Sequence, residues 1–227
     1  SFYKKTLMNF IFGAGGFARE VLQIVLDINA SEPSCQPWQP VGFVVDPAYV
    51  NDTLIHGLPI LGSLEWLKAN PDVDVVIAVG FSAVRRRIAE KIRSELSNSF
   101  PVLIHPRAWV GRQVDIGPGS IICAGALMTT DIHIGEHVHI NIGCTIGHDA
   151  VLSGFVTLNP SVNVSGNVEV SEGVEVGTRS VLIPHACVGE WSIVGAGSVV
   201  TKSLPANVTA VGTPAKVIKS RDVGWQH

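Results

Sequence analysis

Charge is scarce in this 227-residue chain. Lys and Arg number 16 and Asp and Glu 19, so only 15% of residues are charged and the formal net charge is −3. A nucleic-acid binder needs a basic stripe to neutralise phosphates, and this balance supplies none. Long apolar runs are missing too: no stretch approaches the roughly 20 residues that a membrane span requires. Lys4 and Lys5 precede a strand-like run with no cleavage motif after it, so no secretory leader is expected. The four cysteines, Cys35, Cys123, Cys144 and Cys187, show no CxxC spacing. Neither a zinc ribbon nor a disulfide framework fits, and reduced, packed thiols of a cytoplasmic protein are expected.

What is present falls into two halves with different periods, as a chain of one or two domains allows. The first reads as a Rossmann-like α/β domain over residues 1–103. A strand over Leu7–Phe12 ends at the glycine-rich turn Gly13-Ala14-Gly15-Gly16. A helix is expected from Phe17 to Asn29, with Ala18, Val21, Leu22 and Val25 on one face. A strand over Val41–Val45 ends at Asp46, a short helix covers Leu64–Ala69, and a buried strand over Val73–Val79 closes at Gly80. An amphipathic helix over Val84–Leu96 carries Arg85, Arg86 and Arg87. A last strand covers Val102–Ile104. Strand–turn–helix–strand order is the sequence form of a parallel sheet.

After Ile104 the period becomes six. Aliphatic residues occupy every sixth position from Ile104, Val110 and Ile116 to Val194 and Val200, seventeen in unbroken register. Chance would produce such a run with a probability of about 10⁻⁸, so an internal repeat is the reading. Four residues after each aliphatic stands a small or compact one, such as Ala108, Ser120 or Ala126, which is expected to let the chain corner. Three hexapeptides then close a triangular coil, residues 18 apart stack, and all seventeen aliphatics share one core. The repeat resembles that of the hexapeptide acyltransferases, which implies a left-handed parallel β-helix over residues 104–227. The same coil carries γ-class carbonic anhydrases and scaffolding domains, so it speaks to fold before function.

Stacking arithmetic identifies a candidate site. His148 is third in its hexad and points outward. Eighteen residues on stands Gly166, so bare backbone lies over the imidazole. A general base beside an exposed N–H is what acyl transfer from a thioester needs: one takes the nucleophile's proton, the other holds the oxyanion. Asp149 is placed to orient the ring. Asn141 and Asn159, also 18 apart, form a polar ladder near it. His133, His137 and His139 have spacings of four and two, which do not share a face of a triangular coil. No two histidines are five apart, as a γ-carbonic anhydrase requires, so no metal is expected. His105 is expected to pack at the domain junction and His185 at the surface.

In the first half, Gly13, Ala14, Gly15 and Gly16 open a near match to G-x-G-x-x-G/A, whose backbone N–H groups meet a phosphate. Asp46 ends the second strand, where an acid meets a nucleoside, and Gly80 ends a later one. One mononucleotide-binding half leaves no place for nicotinamide, so a nucleotide-sugar acceptor fits better than NAD. For Arg85, Arg86 and Arg87 a solvated helix face outweighs phosphate binding.

These pieces together resemble the sialic acid O-acetyltransferase (NeuD) family of sugar acyltransferases, which includes the PglD-like nucleotide-sugar N-acetyltransferases. The resemblance spans nearly the whole chain. It rests on Phe12-Gly-Ala-Gly-Gly-Phe-Ala-Arg-Glu-Val21, Ile104-His-Pro106, Gly147-His-Asp149, Gly195-Ala-Gly-Ser-Val-Val-Thr-Lys202 and Val211-Gly-Thr-Pro-Ala-Lys-Val-Ile-Lys219. It implies that His148 is the catalytic base, paired with Asp149. It also implies acetyl-CoA as co-substrate, contacted by Thr157, Gly166, Thr178, Ala196, Lys202 and Lys216. A cytoplasmic homotrimer is expected, because the flat prism face bearing His148 needs a neighbour to make a closed cleft. Many members carry a second histidine nine residues after the base. Here that position is Thr157, and His139, 18 residues earlier, is the candidate substitute. N-acetylation of a nucleotide-linked amino sugar, O-acetylation of sialic acid or another sugar, and a non-catalytic nucleotide-sugar scaffold remain the alternatives at this point.

Overall fold

The computed structural model describes residues 8–31, 38–45 and 53–226. Lys4, Lys5, Leu7, Cys35 and Asp46 lie outside the described residues. The chain divides into two compact units. One runs to Gly80 and resumes over Val84–Pro106; the other takes Phe81–Ala83 and everything from Arg107. The second unit thus begins three residues after Ile104 and includes a short segment far upstream.

In the first unit the chain runs through β1 (Met8–Phe12), α1 (Gly16–Ser31), β2 (Gln39–Val44), β3 (Leu54–Ile55), β4 (Leu58–Gly62), α2 (Leu64–Lys68), β5 (Asp74–Ile77), α3 (Ser82–Glu95) and β6 (Leu103–Ile104). Five strands pair in the order β3-β4-β2-β1-β5. All neighbours are parallel except β3, an antiparallel edge. Phe10 and Ile11 on the inner strand β1, and Val75, Val76 and Ile77 on β5 at the sheet's end, are buried, as strands of a parallel sheet covered on both faces are. Helix α1 buries the four residues assigned to its inner face and Ile24 as well. The sheet grows from β1 to β2 on one side and reaches β5 on the other. This reversal opens a crevice at the strands' carboxyl ends, where α/β sheets bind ligands.

The β3–β4 hairpin went unread in the sequence because its strands are too short to show alternation. Its signal is local: His56 and Gly57 have φ values of 48° and 82°, the conformation that a two-residue hairpin loop demands. The three arginines of α3 do not share a solvated face. Arg85 is fully buried, and its Nη1 donates to the Val79 and Gly80 carbonyls at 2.8 and 3.0 Å. A planar guanidinium can satisfy two carbonyls that lie beyond the end of β5 and outside its ladder. Arg86 pairs with Glu90 at 2.7 Å.

The second unit is a triangular coil. Its sixteen strands from β7 (Trp109–Val110) to β22 (Val199–Val200) each end on one of the seventeen aliphatic residues, as β6 of the first unit ends on Ile104. Strands 18 residues apart pair in parallel: Val110 with Met128, then Ile146, Val164, Leu182 and Val200. This series makes the first face. The second runs from Val114–Ile116 to Cys187–Val188. The third runs from Ile121–Ile122 through His139, Thr157 and Glu175 to β23 (Val208–Val211), capped by antiparallel β24 (Lys216–Ser220).

Fourteen of the seventeen aliphatics are buried in one cluster, while Val110 and Ile116 are partly buried against it. Ile104 is 38% exposed and stands outside the core, contrary to expectation. Inward residues at the end of a solenoid are covered by a neighbouring coil on one side alone.

The small residue four after each aliphatic does not form the corner. The residue before it does. Fifteen positions, every sixth from Gln113 to Gly197, have positive φ, and ten of them are not glycine, Phe155 and Trp191 among them. Left-handed backbone costs an L-residue about 1–2 kcal/mol. From Gly125 on, the turn aims the corner N–H at a carbonyl one coil earlier, as from Asn167 to His148 at 2.9 Å and from Phe155 to Glu136 at 2.8 Å. The small residue is buried just behind: Ala126, Ala150 and Ser180 are inaccessible. Ser180 is satisfied there, donating to Gly195 O and accepting from Ser198 N–H. Cys123 and Cys144 are buried free thiols, but Cys187 is exposed, so the expected packing of thiols holds for only two of the three described.

Candidate active site

His148 lies between a first-face strand and a second-face strand, at the turn those faces share. Its side chain is 59% exposed, and its Nδ1 lies 2.6 Å from Asp149 Oδ2. A carboxylate accepts, so Nδ1 carries the proton and Nε2 is left with a lone pair. Asp149 occupies a left-handed corner with φ 57°, and its N–H donates to Thr130 O. The dyad is therefore anchored to the coil below.

One coil later, Gly166 packs on the imidazole. A Cβ added there would lie 2.7 Å from both Cε1 and Nε2 of His148, so the site requires bare backbone. The Gly166 carbonyl accepts from His185 N–H, while its own N–H has no acceptor among the described residues. An accepting imidazole nitrogen and an unspent amide thus sit on adjacent coils. This pair can deprotonate a nucleophile and hold an oxyanion. Asn141 and Asn159 form a ladder, each donating from Nδ2 to a carbonyl of the next coil, Leu158 O and Val176 O, but at the corner between the third and first faces rather than at the one that carries His148, contrary to expectation.

The remaining residues assigned to acetyl-CoA are dispersed. Thr178 and Ala196 are exposed and stack one coil apart, at the corner between the third and first faces. Lys202 and Lys216 are exposed beyond the last coil strands. Thr157 is only 4% exposed, on the third face, with its Oγ1 3.0 Å from Ser82 Oγ; Ser82 N–H donates to Glu175 at 2.8 Å. His139, its register partner, is buried on the same face. Within one chain, neither Thr157 nor His139 comes together with His148.

The other histidines separate as well. His133 is exposed and pairs with Asp115 at 3.0 Å on the second face, and His137 is buried at a corner, stacked on Phe155. Among the described residues no three His, Cys, Asp or Glu side chains are grouped to hold a metal. His105 is buried and pairs with Asp27 of α1 at 2.8 Å.

In the first unit, Gly13, Ala14, Gly15, Gly16 and Gly80 line one cavity of about 800 Å³ at the sheet's switch point. Its glycines differ in role. Gly13 has φ 120°, and a Cβ there would lie 2.9 Å from Ala78 O, so the fold itself needs it. A Cβ added at Gly15 would meet nothing within 4 Å, so a side chain there would enter the cavity. Val45, the residue before Asp46, lines the same space. So do Arg87, which the sequence pattern assigned to a solvated helix face, and Lys91, which it did not single out. Their spacing of four on a helix that follows a glycine-ended strand was the available signal.

A coil with a His–Asp dyad beneath a bare glycine, together with a phosphate-type turn in an α/β unit, defines the class of hexapeptide-repeat acyltransferases. Residues 10–92 match the PglD N-terminal domain family. A GDP-perosamine N-acetyltransferase from Escherichia coli O157:H7 is 31% identical over 222 residues, 92% of this chain and 95% of that one. The crystal structure of a point mutant of perosamine N-acetyltransferase from Caulobacter crescentus, in complex with CoA and GDP-perosamine, superposes with a TM-score of 0.84 at 28% identity, covering 93% of this chain and 97% of that one. The acetyltransferase domain of PglB from Neisseria gonorrhoeae, in complex with acetyl coenzyme A, gives 0.81 at 28% identity, covering 93% and 98%. The chain belongs to the family of nucleotide-sugar N-acetyltransferases with a PglD-type N-terminal domain. The O-acetylating, sialic-acid branch of the resemblance has no specific counterpart among these relatives.

Proposed function

We propose that this protein transfers the acetyl group of acetyl-CoA to the amino group of a nucleotide-linked amino sugar, with His148 as the general base. The observation that carries the reading is the dyad itself: Asp149 Oδ2 lies 2.6 Å from His148 Nδ1, where a carboxylate accepts, which leaves Nε2 to accept in turn, against bare Gly166. As the sugar nitrogen attacks the thioester carbonyl, a C–N bond forms and Nε2 takes the amine proton. The carbonyl oxygen becomes an oxyanion that accepts from Gly166 N–H. Collapse breaks the C–S bond, and the imidazolium returns its proton to the departing CoA sulfur.

Thr178, Ala196, Lys202 and Lys216 are assigned to acetyl-CoA on family resemblance, and the two exposed lysines suit its phosphates. Gly13 to Gly16 and Gly80 take the nucleotide, with Asp46 beside its nucleoside. We take the working form to be a homotrimer. His148 is too exposed for a dry reaction cleft, and the first face beside it carries uncovered Trp109 and Leu127, 56% and 44% exposed. A cytoplasmic setting supplies both substrates. No described helix is long and apolar enough to cross a membrane.

The test is direct. Purified protein is given acetyl-CoA and a panel of GDP- and UDP-linked sugars bearing either a free amine or only hydroxyls, with CoA thiol release followed and products identified by mass spectrometry. Amide products confirm the reading. Acetylation of hydroxyl sugars alone would replace it with O-acetylation, and nucleotide-sugar binding without turnover would point to the scaffold.

A further inference from the structure

The three arginines at the start of α3 end in three different states. Arg85 is buried and satisfied by carbonyls. Arg86 is neutralised by Glu90. Arg87 lines the 800 Å³ cavity, and Lys91, one helical turn on, lines it too. Among the described residues neither Arg87 nor Lys91 makes an ion pair or a side-chain hydrogen bond, and no carboxylate lines the cavity with them. Two like charges four apart on a helix repel one another. Apolar side chains such as Phe12, Ile55, Ile60 and Ile88 make up much of the remaining wall, and a low-dielectric wall enlarges both the repulsion and the gain from an anion that relieves it. The glycine turn offers neutral N–H donors at the opening of α1, enough for one phosphate but without the charge for two.

We infer that Arg87 and Lys91 are specificity-determining residues that read the second phosphate of the acceptor's diphosphate, so that this cavity selects a nucleoside diphosphate over a monophosphate or a free sugar. The inference rests on the nucleotide-sugar reading above and assigns it residues outside the glycine motif. The planar guanidinium takes phosphate oxygens in a bidentate grip, and the ammonium adds a point charge one turn away. The glycine turn holds the other phosphate, and the nucleoside packs on the apolar wall.

The experiment is calorimetric titration of the full chain with GDP, GMP and guanosine, and in parallel with UDP, UMP and uridine. For whichever nucleoside binds, the wild-type protein is expected to take the diphosphate about tenfold or more tighter than the monophosphate, the scale of added charge-assisted hydrogen bonds. Arg87→Gln and Lys91→Gln should each erase most of that preference and flatten its salt dependence. Nucleoside affinity, acetyl-CoA KM and Tm should stay as in the wild type, which separates lost recognition from lost folding. Variants that bind the diphosphate as the wild type does would overturn the inference while leaving a nucleotide site in place. A wild-type protein that binds neither GDP nor UDP would overturn the nucleotide reading of this unit and the inference with it.

Discussion

The coil and the α/β unit make their sites by opposite means. In the coil a repeat sets every position: once His148 is placed, Gly166 must lie over it, because residues 18 apart are register neighbours through the ladder. In the α/β unit nothing repeats. Its cavity is assembled from the ends of β1, β2 and β5 together with one side of α3, segments from Phe12 to Lys91. A periodic fold lets geometry be computed from sequence spacing, whereas an aperiodic one creates geometry only when distant strand ends converge.

The largest effect expected from breaking this contrast is on the coil core. Ile140 and Val164 are buried in a column continuous from coil to coil. Ile140→Asp or Val164→Asp should prevent the unit from folding, since an unpaired buried charge costs several kcal/mol. Soluble yield and thermal melting are the readouts, and a normally melting Ile140→Asp protein would refute a single continuous core.

Catalysis comes next. His148→Ala should lower kcat by about 10²–10⁴, the usual worth of a general base, with acetyl-CoA affinity changed little. Gly166→Ala sharpens the point, because its methyl group would fall 2.7 Å from two ring atoms of His148. A displaced base should cost about tenfold or more in kcat with no comparable loss of Tm. Retention of full activity by Gly166→Ala would show that the ring leaves Gly166 during turnover.

Two glycines of one turn then test whether the α/β cavity is a binding site or a packing feature. The Cβ introduced by Gly15→Val meets no protein atom within 4 Å, so the substitution should raise the acceptor KM strongly while Tm and the acetyl-CoA KM stay put. Gly13→Ala should do the reverse and lower stability by about 1–3 kcal/mol, because a side chain at that φ is strained and meets Ala78 O. Saturation curves and melts for both variants separate the roles. Equal acceptor KM values in wild type and Gly15→Val would move the acceptor out of this cavity.

The smallest effect is chemical. Burial pushes the Cys144 thiol up to about 11, so at neutral pH it is almost wholly protonated and unreactive, and only above that range does the thiolate dominate. Cys187 is exposed on the coil's second face. Brief iodoacetamide treatment of native protein followed by peptide mapping should modify Cys187 and spare Cys123 and Cys144 until denaturant is added. Early labelling of Cys144 would mean that the coil opens locally.

Much of the coil was legible because period six is a strong signal: all seventeen aliphatic positions end strands, and the His148–Gly166 stack follows from counting. The corner was misassigned by one residue. Period identifies a repeating position but not its backbone conformation, and residues as bulky as Phe155 and Trp191 hide a left-handed turn that five glycines alone hint at. The burial of Thr157 beneath Ser82, 75 residues upstream, had no local signature.

Sequence alone determined the two halves, the strand–glycine–helix opening, the hexad register and the adjacency of His148, Asp149 and Gly166, because each depends on short-range spacing or on an invariant repeat. Tertiary structure decided which of three consecutive arginines faces the cavity, which cysteines are accessible and which glycine of the turn is indispensable. Those outcomes depend on which distant atoms arrive within a few ångströms, and convergence of that kind leaves no trace in local spacing.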